Sequence, residues 1–154
     1  MNNDYILINK IKTNATYLNS KQLIFFMSKT KGSNAERELL HMFWGKGWAC
    51  IRSAGSGSMK YPGPDLLVGN LARRMSIECK ATKNDKVYLN EHDIDQLQQF
   101  SKVFDARPWF AVKFPRKGWL FISIEDLQKT KTGYVIELKN AELKGLSFEE
   151  IISY

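Results

Sequence analysis

Cysteine, histidine and long apolar runs are what this sequence has least of. Its two cysteines, Cys50 and Cys79, each lie inside an apolar stretch. They provide neither a disulfide framework nor a four-ligand zinc site, and the expected setting is reducing and intracellular. The two histidines, His41 and His92, lack ligand-like spacing to each other and are assigned no metal. The most apolar N-terminal run, residues 23–27, is far too short to span a bilayer, and no small-residue cleavage site follows a longer one. The expectation is a soluble cytoplasmic protein with no membrane contact. Acidic residues are also short, 16 Asp and Glu against 23 Lys and Arg, for a net charge of +7 and a pI near 9.4. That balance favours a polyanionic partner, although a basic solvated surface has the same composition.

What is present suffices for one domain: 154 residues, 44% of them hydrophobic, build a core without staples. Residues 1–28 keep neither helical nor strand period and form an N-terminal extension of uncertain structure, ahead of a single functional domain over 29–154. Ser33 with Glu36 three residues on reads as a capping box that opens a helix, whose stripe is Ala35, Leu39, Met42 and Phe43 and whose end is set by Gly45 and Gly47. Strands are expected over 48–52, 65–69 and 75–81, with a loop over 53–58 after the first and a tight connection through Asn70 between the last two. A short strand over 87–89 precedes a helix over 91–104 with Ile94, Leu97, Ser101 and Phe104 on one face, stopped by Pro108. Strands 109–114 and 119–124 form a hairpin, 134–138 adds a strand, and Ser147 with Glu150 caps a last short helix. The fold class is α/β, a central mixed sheet flanked by helices.

The sharpest pattern is Pro64-Asp65, twelve residues, then Glu78-Cys79-Lys80. In a strand, Ser76, Glu78 and Lys80 share one face while Met75, Ile77 and Cys79 share the other, which can pack in a core. A carboxylate and an ammonium then stand side by side, with Asp65 brought in from the neighbouring strand. Two hard carboxylates on a rigid sheet suit Mg²⁺, which prefers oxygen and keeps several waters. Such an ion activates water and stabilises charge on a phosphate, while Lys80 orients the attacking hydroxide or neutralises developing charge. Glu36 would add a third carboxylate; its competing role is the capping box with Ser33. The competing role for Glu78 and Lys80 is a solvated surface ion pair.

Taken together, Lys31-Gly32-Ser33-Asn34-Ala35-Glu36-Arg37, the strand and loop over 47–56, Pro64-Asp65 and Glu78-Cys79-Lys80 resemble the archaeal Holliday-junction resolvases of the PD-(D/E)xK nuclease superfamily, in order from about Met27 onward. The resemblance implies a restriction-endonuclease-like fold and a nuclease domain over 29–154. It implies a homodimer that binds four-way DNA junctions by shape and makes paired incisions with Mg²⁺ or Mn²⁺ during recombination and repair, nucleoid-associated in the cell. Carried over by position, Glu36, Asp65, Glu78 and Lys80 match the catalytic set, with the Cys79 backbone carbonyl a further metal ligand, and Ser56 matches a loop serine important for activity. Lys31, Arg37, Arg52, Ser56, Lys60 and Lys83 are the expected DNA contacts. A sliding clamp is the protein partner weighed. The extension before Met27 departs from the family's usual short N-terminus.

Other signals are weaker. Lys29, Arg73, Arg74 and Lys86 could track phosphates or simply be solvated. Phe110, Phe114, Trp119 and Phe121 read as core or dimer interface rather than base-stacking platforms. Gln96, with Phe100 four residues on, resembles a glutamine-containing helical motif of some related nucleases, against the simpler role of an exposed helix residue. Two rival functions stand beside junction resolution: another PD-(D/E)xK nuclease acting on duplex DNA, and a non-catalytic DNA-binding module.

Overall fold

The computed structural model describes residues 20–53 and 61–154, and side chains within them from Gly32 onward. The chain begins with helix α1 (Ser20–Gly45), then strands β1 (Ala49–Arg52), β2 (Leu66–Gly69), β3 (Arg74–Ala81) and β4 (Lys86–Leu89). Helix α2 (Glu91–Phe104) leads into β5 (Arg107–Phe114) and β6 (Gly118–Ile122). After a 3₁₀ turn (Ile124–Asp126) come β7 (Gln128–Lys129), β8 (Tyr134–Glu137), α3 (Leu138–Lys144), β9 (Leu146–Ser147) and α4 (Phe148–Ser153). Among the described residues no helix is long and apolar enough to cross a membrane.

The central sheet has six strands in the order β1-β2-β3-β5-β6-β9. It is mixed because β3 and β5 run parallel while its other pairs are antiparallel. A parallel neighbour needs a crossover, and α2 supplies it across one face. Each face is covered by its own apolar layer. On one side Ala35, Leu39 and Phe43 of α1 and Phe148 and Ile151 of α4 pack on Met75, Ile77, Trp109, Ala111 and Phe121. On the other, Ile94 and Leu97 of α2 and Ala141 of α3 pack on Phe110, Val112, Phe114 and Ile122. Phe110, Phe114, Trp119 and Phe121 are thus core within one chain, each at most 4% exposed.

Several local expectations need correction. Helix α1 does not start at Ser33; it already contains that residue, because no proline interrupts residues 20–45 and one interior glycine, Gly32, costs only about 1 kcal/mol. Ser33 is therefore not an N-cap, and Glu36 is released from the capping box. The far end follows the sequence closely. Gly47 adopts φ 77° while Trp48 N–H donates to the Phe43 carbonyl at 3.0 Å and Gly47 N–H to that of Trp44 at 3.1 Å. That is the paired-bond glycine termination of a helix.

Helix α2 has the expected bounds, with Asn90 capping Asp93 N–H, yet Phe104 turns out of the core and stacks on Phe100 at 5.5 Å between ring centroids. Pro108 does not stop this helix, which ends where Asp105 takes left-handed φ and ψ; Pro108 lies inside β5. The 119–124 strand closes at Ile122, and Leu138 opens α3 rather than ending β8. Strands β4, β8 and β7 form a separate three-stranded sheet that local periodicity did not indicate. The capping box of Ser147 and Glu150 is present in full. The expected loop over 53–58 and the segment before Ser20 lie outside the described residues, apart from Ser53.

Candidate functional site

Strand β3 places the charged pair. Period-two alternation turns Met75 and Ile77 into the α1 layer and leaves Ser76, Glu78 and Lys80 on the α2 side. Ser76 is completely buried and hydrogen-bonds the Ser101 hydroxyl of α2, so a polar group under the helix is satisfied. Towards the end of the strand this face opens. Glu78 and Lys80 are joined at 3.0 Å, and Lys80 Nζ also reaches Asp93 Oδ2 at 3.4 Å.

Asp65 enters from the start of β2, which pairs antiparallel with β3 so that Leu66 faces Ile77. Its Oδ2 accepts the Cys79 backbone N–H at 2.9 Å. This bond ties the carboxylate to β3 at the residue between Glu78 and Lys80. A cleft of about 320 Å³ results, lined by Glu36, Gly63, Asp65, Glu78, Cys79, Lys80, Asp93 and Gln96. Glu36 reaches it from α1, and its Oε2 accepts from Arg52 Nη1 at 2.7 Å. The proposed arginine and the proposed carboxylate are thus partners across α1 and β1.

The electrostatics are those of carboxylates crowded into partial burial. Glu78 is pushed up to about 7, first by burial and then by the negative charge of Asp65, against the pull of Lys80. Burial pulls Lys80 down, but Glu78 and Asp93 outweigh it and hold the ammonium above its ordinary value. Cys79 is driven well above the usual thiol range by burial and by Asp65, so its thiol stays protonated and a weak donor to any hard ion.

Oxygen donors alone remain for a cation: the carboxylates of Asp65 and Glu78, the Cys79 carbonyl, and Glu36. No three Asp, Glu, His or Cys side chains among the described residues form a ready-made metal cage. Mg²⁺ needs none, since it takes one or two carboxylates and completes its shell with water and substrate oxygens. The donor set and the crowding that raises Glu78 both fit a hard divalent cation.

The structure therefore brings Glu36, Asp65, Glu78, Cys79 and Lys80 to one cleft. Arg52 lies beside it through Glu36, whereas Arg37 is exposed and donates to Asn34 at 3.2 Å, and Lys83 is exposed in the turn after β3. Ser56 and Lys60 lie outside the described residues, as does the Lys31 side chain. Asp93 was missed from sequence. Its signal was present: Asp93, Gln96 and Phe100 form a stripe beside the buried Ile94, Leu97 and Ser101, so the helix that buries one stripe presents the other at the edge of the sheet.

Comparisons with known proteins point to one family. The profile of the family described as archaeal Holliday junction resolvase (hjc) matches residues 27–154. A protein of Archaeoglobus fulgidus named crossover junction endodeoxyribonuclease Hjc is 37% identical over 129 residues, covering 79% of this chain and 95% of the relative. Its namesake in Sulfurisphaera tokodaii is 32% identical over 130 residues, covering 82% and 89%. The solved structure of Archaeoglobus fulgidus Hjc, described as a Holliday junction resolvase from an archaeal hyperthermophile, matches with a TM-score of 0.73 and 35% identity, over 78% of this chain and 98% of that one. The mixed sheet with helices on both faces is accordingly of the restriction-endonuclease-like class.

Proposed function

The chain belongs to the archaeal Holliday junction resolvase family, and on that premise we propose that it is a structure-selective endonuclease that resolves four-way DNA junctions by paired phosphodiester hydrolysis. The observation that carries the reading is the single cleft in which Asp65, Glu78 and Lys80 meet at the end of β3. Asp65 and Glu78, with the Cys79 carbonyl and Glu36, would hold a divalent cation, Mg²⁺ with Mn²⁺ as a substitute. When bound, that ion supplies Lewis acidity to the phosphate and lowers the pKa of water.

The chain's own groups do the rest. Lys80, held between Glu78 and Asp93, neutralises charge on the reacting phosphate and orients the attacking oxygen. Arg52 fixes Glu36 through one guanidinium nitrogen and keeps other donors for a phosphate. Arg37, Lys31, Lys60 and Lys83 contact the DNA backbone, and Ser56 contributes to the activity. These contacts position the junction without reading sequence.

A homodimer suits the task, because a two-fold axis sets two identical clefts on two opposed strands. Residues 29–154 would form the nuclease domain, with 1–28 an extension to it. The enzyme would work on chromosomal DNA in the cytoplasm, in association with the nucleoid, and a sliding clamp is a further partner to be sought there.

The test is a cleavage assay on a labelled four-way junction beside linear duplex of equal length, with Mg²⁺ and with chelator. Symmetric nicks confined to the junction, abolished by chelator and by Asp65→Asn while junction binding persists, are expected. Cutting of linear duplex at the same rate would assign the chain to duplex nucleases. Junction binding that never leads to cutting would leave a binding module.

A further inference from the structure

A second pocket lies at the opposite end of β3 from the cleft. It has a volume of about 380 Å³ and is walled by Arg73, Arg74, Arg107, Trp109, Tyr154 and, at its rim, Asp105. Three guanidiniums thus meet two aromatic rings at the starts of β3 and β5. Arg74 is neutralised by Asp105 at 2.5 Å. Arg73 lies over the Trp48 ring and donates to the Ile152 carbonyl at 2.9 Å. Arg107 lies over both Trp109 and Tyr154, at 5.1 and 4.8 Å from their centroids. Neither Arg73 nor Arg107 has a carboxylate partner among the described residues.

We propose that this pocket is a nucleotide-binding site separate from the cleft, with the phosphate on Arg73 and Arg107 and the base on the exposed ring of Tyr154. Arginine forks match phosphate oxygens, and Tyr154, 59% exposed as a residue, offers a base the ring face turned away from Arg107. The volume suits a single nucleotide. A further feature fits an anionic ligand. Among the described residues the Trp109 indole N–H is buried without an acceptor, an uncommon state for a buried indole. Arg107 lies over that ring, and a phosphate that draws the guanidinium off it would change the surroundings of the Trp109 indole. The site could be filled by a free nucleotide or by the terminal nucleotide of a DNA strand.

The four tryptophan indole N–H resonances of the full chain provide the readout, with that of Trp109 assigned by Trp109→Phe. Deoxyadenosine 5′-monophosphate, inorganic phosphate and a short 5′-phosphorylated single strand are titrated in chelator. The nucleotide should shift the Trp109 resonance saturably, with affinity roughly tenfold or more weaker in Arg107→Gln and unchanged in Asp65→Asn. Tyr154→Leu, at an exposed position, should weaken nucleotide but not phosphate. Tighter binding of the strand than of the nucleotide would identify a DNA end as occupant; equal binding would identify the free nucleotide. The proposal is overturned if millimolar nucleotide gives no saturable shift, if phosphate binds as tightly as nucleotide, or if both variants bind like the parent. Because binding is read without cleavage, none of these outcomes depends on the junction assay.

Discussion

Strands β3 and β5 lie side by side and parallel, with Ile77 opposite Trp109 and Lys80 opposite Val112, yet they treat their two faces differently. In β5 both faces are apolar: Trp109 and Ala111 enter the α1 layer, Phe110, Val112 and Phe114 the α2 layer. In β3 only the α1 side is apolar, through Met75 and Ile77. The other side runs from Ser76, buried and paired with Ser101, to the charges of Glu78 and Lys80. One strand is filled with apolar packing on both faces. Its neighbour exchanges half of that packing for polar groups, and does so at the end where the helix cover thins and Asp65 can enter.

The comparison can be broken at three points. Phe110→Ala in β5 should cost about 3–5 kcal/mol, since it empties a fully buried aromatic site, and equilibrium denaturation would show it. If it cost less than about 1 kcal/mol, β5 would not be the packing strand described. Lys80→Met in β3 should invert that pattern. Junction cleavage should fall by about a hundredfold to a thousandfold, the range for losing one charge-stabilising group, while stability and junction binding change little. Of the two partners left behind, Glu78 can take up a proton near neutrality and Asp93 is partly open to water, which limits the charge left uncompensated. A Lys80→Met protein that cuts junctions at the parent rate would remove this residue from the chemistry.

The third point concerns pH. Glu78 titrates at about 7 in the folded chain against 4.5 for an ordinary glutamate, so between those values the native state keeps a proton that the unfolded state has released. Stability in chelator should therefore fall as pH rises from about 4.5 to 7, by about 3 kcal/mol in total. Glu78→Gln should lack that slope. Denaturation curves across the window check both, and a parent protein whose stability rises through it would show that Glu78 is not held protonated.

Much of the fold was legible because its signals are local. The run over 109–114, apolar except for Lys113, reads as a strand, the 91–104 pattern gives α2 to the residue, and Ser147 with Glu150 gives the last capping box. The errors arose where a local signal had a competitor elsewhere in the chain. Ser33 has the residue types of an N-cap, but an N-cap needs a preceding residue that leaves the helix, and nothing in 20–32 does so. Phe104 continues the α2 stripe, yet it sits in the last turn, past the edge of the apolar layer, and pairs with Phe100 instead. The small β4-β8-β7 sheet joins strands about fifty residues apart, which no window of sequence contains.

The candidate site divides in the same way. Alternation of side chains along a strand was enough to put Glu78 and Lys80 on one face and Met75 and Ile77 on the other. The sequence also carried the ordered motifs that tie the chain to its family. No local pattern carries the bond from Asp65 to the Cys79 amide, the hold of Arg52 on Glu36, or the second pairing of Lys80 with Asp93. Those contacts depend on the register of β2 against β3, on α1 crossing above β1, and on where the crossover helix starts. Each is set by packing between segments distant in the chain rather than by any residue's neighbours in sequence.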